Sequence, residues 1–197
     1  MQSTSLREQQ KRDRKDRIFN AAMRLFNEKG FQETTVVDIA RAARVSRGTV
    51  FNYFPYKEAI LIDDLAQKLD DMRGRVSGSS PTNPLEALYA IFDELASFAE
   101  ANPNHILPLS YELLNPDPER SKHAFMSLPL VPFIYEFLTQ ARTQNLIRSD
   151  FSRERLARTI ANTYFLTALQ WAAYRQDRSI HDELKKALKL TLEGIVV

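Results

Sequence analysis

Apolar residues recur every three or four positions along most of this 197-residue chain, and this spacing limits its fold more than any other feature. Only five glycines occur, and stretches that alternate β-branched and polar residues, as strands do, are scarce. The pattern predicts an all-α protein with about nine helices in total. The first helix is expected from about Arg12 to Lys29, because Gly30 follows it and can end a helix in a left-handed conformation.

Two more short helices are predicted from capping signals before residue 60. Thr35 and Asp38 have the spacing of a reciprocal cap, in which a hydroxyl and a carboxylate each bond a main-chain N–H of the first turn. Ser46 can cap a third helix, and Pro55 prevents that helix from continuing. The N-terminal third therefore reads as a helix followed by a helix-turn-helix.

The remainder of the chain is expected to be longer helices. One should run from about Lys57 to Val76, and the loop signal SGSSPTNP follows it. Pro129 and Pro132 interrupt a later helical segment and predict a kink or a break. We divide the chain into a helix-turn-helix domain, residues 1–57, and a larger helical domain, residues 58–197.

Charge is distributed unevenly between these parts. Residues 1–60 contain 12 Lys and Arg against 7 Asp and Glu, whereas the rest contains 15 against 18. The basic N-terminal part favours a partner that bears phosphate, and a solvated basic helix is the alternative. The absence of cysteine excludes disulfides, no apolar run is long enough to span a membrane, and the N-terminus lacks the apolar segment of a signal peptide. We expect a cytoplasmic protein with no membrane partner.

The stretch VSRGTVFNYF has the residue types that a DNA-reading helix needs. A helix that enters the major groove requires donors and acceptors for base edges and phosphates, with little apolar bulk on its outer face. Arg47 can bond a guanine edge or a phosphate, Asn52 can bond a base, and Gly48 would let the helix approach the DNA backbone closely. A small helical subdomain with a solvated polar face is the other interpretation.

From Arg14 to Leu61 the chain resembles the TetR family of transcriptional regulators. LFNEKGF ends the first helix, TTVVDIA opens the second, VSRGTVFNYF forms the recognition helix and YKEAIL begins the long connecting helix, in the order and spacing of the family. Beyond residue 62 the resemblance is one of architecture only.

The resemblance implies roles for matching positions. Thr34 and Thr35 would lie near a phosphate at the start of the second helix, and Lys57 would hold a phosphate from the start of the fourth. The groove-facing set would be Arg47, Gly48, Thr49, Asn52 and Tyr53.

Two positions depart from the family pattern. Arg44 stands where the family usually has glycine in the turn, so this arginine has to adopt a positive φ, and it adds a cation near the DNA backbone. Phe51 stands where tyrosine is common, which removes one phenol that could bond a phosphate.

The resemblance also implies a mechanism. A homodimeric repressor would bind a palindromic operator in double-stranded DNA and would be released by a small effector, which the aromatic residues of the larger domain favour as a hydrophobic molecule. The effector would enter the helical core, move the long helix that begins near Lys57 and change the spacing of the two recognition helices. No cofactor is implied.

The last two predicted helices suggest where two copies could meet. Both are apolar on the faces that include Ala161, Phe165, Leu184, Leu188 and Leu192, and one cover for such a pair is the same pair from a second subunit, packed as a four-helix bundle. Burial within a monomer explains the same pattern, and periodicity leaves both alternatives open.

Aromatic side chains in the larger domain are candidates for an effector cavity, although each also suits an ordinary core. His105, His123 and His181 are too dispersed for a metal site, and none is expected. The candidate effector-binding residues are Phe92, Tyr111, Phe133, Phe137, Tyr164 and Trp171.

Two other classes of protein compete with a ligand-responsive repressor. An all-helical enzyme is disfavoured, because the sequence has no nucleophile motif, metal cluster or phosphate loop. A DNA-bound regulator or architectural partner without an effector remains open, because a cavity is not visible from periodicity.

Overall fold

The computed structural model describes residues 6–79, 83–174 and 176–196, and within these ranges the chain forms ten α-helices. The all-α prediction is confirmed, with one helix more than expected. SGSSPTNP includes residues 80–82, which lie outside the described residues. The helices are α1 (Leu6–Lys29), α2 (Val36–Ala42), α3 (Arg47–Tyr53), α4 (Glu58–Ser79), α5 (Pro84–Ala101), α6 (Pro103–Leu113), α7 (Pro118–Ser127), α8 (Leu130–Thr143), α9 (Arg153–Tyr174) and α10 (Ile180–Glu193).

The helices form two compact units, residues 1–61 and 62–197, and the chain passes from one to the other within α4. The domain boundary expected at residue 57 stays a prediction. In the first unit α2 packs against both α1 and α3. Its core includes apolar side chains that are at most 3% exposed: Ile18, Ala22, Phe26, Phe31, Ile39, Val50, Phe54, Ile60 and Leu61.

The turn between α2 and α3 is closed by main-chain hydrogen bonds around a left-handed residue. Arg44 has a φ of 55°, as the departure from the family glycine predicted. Its N–H donates to the Arg41 carbonyl at 3.2 Å, and the Val45 N–H donates to the Ala40 carbonyl at 2.9 Å. This pair of bonds satisfies carbonyls at the end of α2 and offsets a conformational cost of about 1 kcal/mol for a non-glycine residue.

The start of α2 carries the predicted reciprocal cap. The Asp38 N–H donates to the Thr35 hydroxyl at 3.2 Å, and the Thr35 N–H donates to Asp38 Oδ2 at 3.0 Å. The same carboxylate accepts a bond of 2.7 Å from the Lys29 ammonium at the end of α1. Asp38 therefore joins two helices as well as capping one.

The second unit is organised around α9, which packs against α5, α6, α8 and α10. The predicted break in the proline-containing segment is confirmed, because Pro129 lies between the end of α7 and the start of α8. The Arg120 guanidinium on α7 donates to both carboxylate oxygens of Glu112 on α6, at 2.8 and 2.6 Å. Glu112 is only 2% exposed, so this bidentate pair satisfies a buried charge.

The Asp38 cap predicts a measurable acid dependence of stability. Its bonds to Lys29 and Thr35 hold the pKa of the Asp38 carboxyl far below its ordinary value of 3.8. Because the folded-state pKa is depressed, the stabilisation is complete above pH 3.8 and is lost as the pH falls further. The Asp38→Asn variant should have a lower thermal midpoint than wild type at pH 7. The difference between the two midpoints should be smaller at pH 3. The measurement is circular dichroism melting at both values.

The matched control is Glu28→Gln, which removes an exposed carboxylate 4.0 Å from Arg24. It should change the midpoint little at either pH. If the difference in thermal midpoint between wild type and the Asp38 variant were the same at pH 7 and pH 3, the stabilising role of the ionised Asp38 carboxylate would be contradicted.

Candidate nucleic-acid interface

The short helix α3 is fixed at both ends and on one side. The Ser46 hydroxyl accepts from the Thr49 N–H at 3.0 Å, which caps the first turn. Val50 is 1% exposed and Phe54, directly after the helix, is 3% exposed. At 3.6 residues per turn, Gly48 and Asn52 lie nearly opposite Val50 on the helix. Burial of Val50 therefore turns Gly48 and Asn52 outward.

Six residues of α3 and of the turn before it are exposed or half-buried, and we call this set the recognition face. Arg44, Arg47, Gly48 and Asn52 are exposed, whereas Thr49 and Tyr53 are half-buried at the edges. The set supplies guanidinium, amide, hydroxyl and phenol groups, which are the groups that bond base edges and phosphates. The recognition face consists of Arg44, Arg47, Gly48, Thr49, Asn52 and Tyr53.

Phe51 interrupts the polar character of this surface. It is 41% exposed, although a phenylalanine that served only the core would be buried. A phenyl ring carries no hydrogen-bonding group for a phosphate, so Phe51 adds only apolar surface here.

Among the residues that the structure describes, no neighbouring atom requires glycine at position 48. A Cβ added there would meet Ser46 Oγ at 3.8 Å, which is an ordinary van der Waals contact. The absent side chain therefore leaves space on the outside of α3, where another molecule can approach the helix backbone.

Thr34 is a correction to the sequence-based interpretation. Its side chain is 1% exposed, and its hydroxyl donates to the carbonyls of Gly30 at 2.8 Å and Leu25 at 3.2 Å. The hydroxyl thus closes the end of α1 and is not available to a phosphate. Thr35 is exposed, but its hydroxyl is engaged with Asp38 at 2.7 Å in the cap of α2.

Lys57 is a second correction. Its ammonium donates to the carbonyls of Phe31 at 2.8 Å and Thr34 at 3.1 Å, and it lies 4.1 Å from the centre of the Phe31 ring. Desolvation at this partly buried position lowers the pKa of the Lys57 ammonium. Because the hydrogen-bond donors of the Lys57 ammonium are directed to the α1–α2 turn, Lys57 stabilises that turn instead of presenting a free cation.

The candidate effector residues are mostly interior, but they do not all share one site. Phe92, Phe133, Phe137, Tyr164 and Trp171 are at most 6% exposed. Tyr111 is 63% exposed, so the structure corrects its assignment to the interior. The Phe133 and Phe137 rings are 5.6 Å apart, and the Phe92 and Tyr164 rings are 6.0 Å apart. These pairs are packed core.

Open concavities in the second unit lie at the edges of this core. One of about 470 Å³ lies between α5 and α10 and is bordered by Phe92, Asp93, His181 and Lys185. Another, of about 180 Å³ and mainly apolar, lies where Leu113, Phe125, Phe165 and Leu169 of α6, α7 and α9 converge.

Most of the residues predicted for a dimer interface are buried within the single chain. Ala161, Leu184, Leu188 and Leu192 are at most 4% exposed, because α9 and α10 pack against each other and against α5. The structure therefore corrects these four assignments. Phe165 is half-buried, with its ring edge-on to Phe125 at 6.5 Å. The apolar side chains that α9 and α10 leave exposed are Leu166, Tyr174 and Leu190, at 58%, 64% and 72%.

Two other kinds of site are absent from the part of the chain that the structure describes. No group of three or more His, Cys, Asp or Glu side chains there is arranged to hold a metal ion. None of its helices has both the length and the apolar character needed to cross a membrane.

Two family models match the chain, one for each unit. The model described as "Bacterial regulatory proteins, tetR family" matches residues 18–63, and the model described as "TetR/AcrR family transcriptional repressors, C-terminal domain" matches residues 62–194. The two matches follow each other along the chain without a gap.

Known proteins resemble the chain over different lengths. The crystal structure of Thermus thermophilus FadR, a TetR family transcriptional repressor in complex with lauroyl-CoA, is 50% identical over 93% of this chain and 95% of that one, with a TM-score of 0.87. FadR from Bacillus subtilis in complex with stearoyl-CoA is 22% identical over 91% of this chain and 98% of that one, with a TM-score of 0.70, and shares the fold.

Among curated relatives, the regulator HbdR of Aromatoleum sp. (strain CIB) is 37% identical over 78 residues, which is 39% of this chain and 34% of that protein. EthR of Mycolicibacterium smegmatis is 39% identical over 79 residues, which is 39% of this chain and 36% of that protein. The chain thus spans about a third of the length of these two curated relatives.

The space outside Gly48 leads to a prediction that separates stability from recognition. Gly48→Ala should leave the fold intact and stabilise it by roughly 0.5 kcal/mol, because alanine suits a helix better than glycine. On duplex DNA the added methyl should clash, and a clash of about 1.4 kcal/mol weakens binding tenfold. Thermal melting and a DNA-binding titration measure the two effects.

Gly74→Ala is the matched control, since Gly74 lies in α4 and, apart from its chain neighbours and the adjacent backbone of that helix, no described atom lies within 4 Å of the added Cβ. It should give a similar gain in stability with unchanged DNA binding. Equal DNA affinities of the two variants would show that α3 does not approach DNA at Gly48.

Proposed function

Because the chain belongs to the TetR/AcrR family of transcriptional repressors, with both family models matched in order, we propose that it is a homodimeric repressor released from a palindromic operator by a fatty acyl thioester of coenzyme A. The observation that carries the choice of effector is the 50% identity, over 93% of the chain, to a repressor whose crystal structure contains lauroyl-CoA.

DNA binding is the part of this proposal that the first unit supports. The recognition face presents base-reading and phosphate-bonding groups on one side of a helix whose other side is buried. The basic excess of residues 1–60 lies in the same unit. Charge attracts the duplex without regard to sequence, and the side chains of α3 supply the discrimination between base pairs.

Dimerisation is supported by the exposed apolar side chains of α9 and α10. Leu166 and Leu190 are each more than half exposed. The hydroxyls of Thr163 and Thr191, 3.1 Å apart, join the two helices. A second copy that covers Leu166 and Leu190 would remove both from water. It would also provide two recognition helices, which read half-sites about 34 Å apart on one side of the duplex.

Release by an acyl chain requires that the effector prefer a conformation that does not bind DNA. In the core of the second unit, Phe92 of α5 and Tyr164 of α9 are each 2% exposed, and their rings are 6.0 Å apart. An acyl chain that enters must therefore separate packed helices. The acyl chain would then make its contacts only in the conformation in which these helices are separated, and this difference in affinity would favour that conformation.

Helix α4 is suited to report such a change. Ion pairs connect it to the helices that surround the core, Arg73 with Glu136 on α8 and Arg75 with Glu94 on α5. Its residues 58–61 belong to the first unit and residues 62–79 to the second. A shift of α8 or α5 would act on α4 directly through these pairs.

The effector proposal predicts a specific pattern of release. Lauroyl-CoA added to the protein–operator complex should dissociate it, whereas free coenzyme A at the same concentration should not, because only the thioester carries the acyl chain. Fluorescence anisotropy of a labelled operator measures release. Lauric acid and a non-ionic C12 alcohol are controls for detergent-like effects. Full retention of DNA at saturating lauroyl-CoA would favour a repressor that has no acyl-CoA effector.

The dimer proposal predicts which apolar positions tolerate a charge. Leu166→Asp and Leu190→Asp should shift the protein toward monomer in sedimentation while leaving the helix content unchanged. Leu188→Asp should unfold the second unit, because Leu188 is 0% exposed. Val37→Asp, at an exposed apolar position on α2, is the matched control and should remain dimeric. An unchanged dimer in both exposed-leucine variants would refute this interface.

A further inference from the structure

Helix α1 extends further toward the N-terminus than its apolar pattern indicates. It begins at Leu6, whereas its core-facing residues begin with Ile18. Steps of three and four residues toward the N-terminus from Ile18 keep to the same side of the helix and reach Arg14, Lys11 and Arg7. The side of α1 that is buried in the first unit thus continues as a basic surface.

This basic surface faces a concavity that it shares with the recognition helix. The concavity has a volume of about 660 Å³ and lies within the first unit. Arg7, Lys11 and Arg14 line it from α1, together with Glu8 and Gln10. On the α3 side it is lined by Thr49, Asn52 and Tyr53, which are half of the recognition face.

The three cations are free to bind a ligand. All three are exposed, and within residues 6–79, 83–174 and 176–196 no hydrogen bond or ion pair engages Arg7, Lys11 or Arg14. With the single carboxylate of Glu8, the α1 wall has an excess of two positive charges. An acidic molecule that enters the concavity would therefore meet unpaired cations on one side and hydrogen-bonding groups on the other.

We propose that Arg7, Lys11 and Arg14 form a phosphate grip that holds the DNA backbone beside the major groove that α3 enters. This inference rests on the DNA-binding function proposed above. The occupant is a duplex backbone because the basic wall is continuous with the recognition face. A helix placed in the major groove has a phosphate strand along its flank, and a wall that shares a concavity with that helix borders the same flank.

The chemistry of the grip determines how it contributes to binding. Lysine and arginine that neutralise phosphates release condensed counterions, so each contact makes binding more sensitive to salt. Phosphates are the same in every sequence, so the grip strengthens binding to any duplex by a similar factor. The recognition face keeps the task of distinguishing base pairs.

The test compares wild type with Arg7→Gln, Lys11→Gln, Arg14→Gln and the triple variant. Glutamine removes the charge and is a good helix former, so α1 should persist, which circular dichroism checks. Arg12→Gln is the matched control, since Arg12 is an exposed cation of α1 that does not line the concavity. Dissociation constants are measured from low to high salt on an operator selected from a random duplex library and on an unrelated duplex of equal length.

The expected result is a salt slope that falls by about 0.9 for each phosphate that a subunit no longer neutralises. Affinity for both duplexes should fall by a similar factor, so that the ratio between them is unchanged. Arg12→Gln should behave like wild type. Equal slopes in wild type and the triple variant would overturn the proposal, and so would a weakening confined to the selected operator, which indicates base contacts.

Failure of the grip and failure of the DNA-binding function give different results. Suppose that wild type binds the operator more tightly than the unrelated duplex, and that the triple variant has the same dissociation constants as wild type at every salt concentration. The phosphate-grip proposal is then wrong, and the repressor proposal stands. If wild type itself does not discriminate, the repressor proposal fails first.

Discussion

The DNA-reading surface depends on the burial of one side of a seven-residue helix. A helix as short as α3 is not stable alone in water, because the free-energy cost of helix nucleation exceeds the stabilisation from its few hydrogen bonds. Val50 and Phe54, at most 3% exposed, attach it to the core of the first unit. The Ser46 cap and the left-handed turn at Arg44 then set its direction. The recognition face is the side that these constraints leave outside.

Local signals predicted this part of the fold well, because each depends on residues that are neighbours in sequence. The glycine after α1 adopts a φ of 90°, the Thr35–Asp38 pair forms its reciprocal cap, and Ser46 caps α3. The positive φ of Arg44 followed from one departure from a family pattern. In contrast, α1 begins six residues before the start that periodicity predicts, since its first three turns are charged and exposed and have no apolar period.

The roles that sequence reasoning misassigned are those decided by contacts between distant parts of the chain. Lys57 bonds carbonyls more than twenty residues away, and the burial of Thr34 depends on the end of α1. Periodicity identified Leu184 and Leu188 as an apolar side of α10, but α5 and α9 of the same chain cover that side. A hydrophobic stripe indicates that one side of a helix is buried, but it does not identify the element that buries it.

The central claim is that the first unit of each subunit reads one half of a symmetric DNA site. The most direct test is selection of bound duplexes from a random library by the purified protein, followed by sequencing. The account predicts enrichment of an inverted repeat whose half-sites are centred about one helical turn, or a small multiple of it, apart. Recovery of duplexes with no shared sequence after repeated rounds would contradict it.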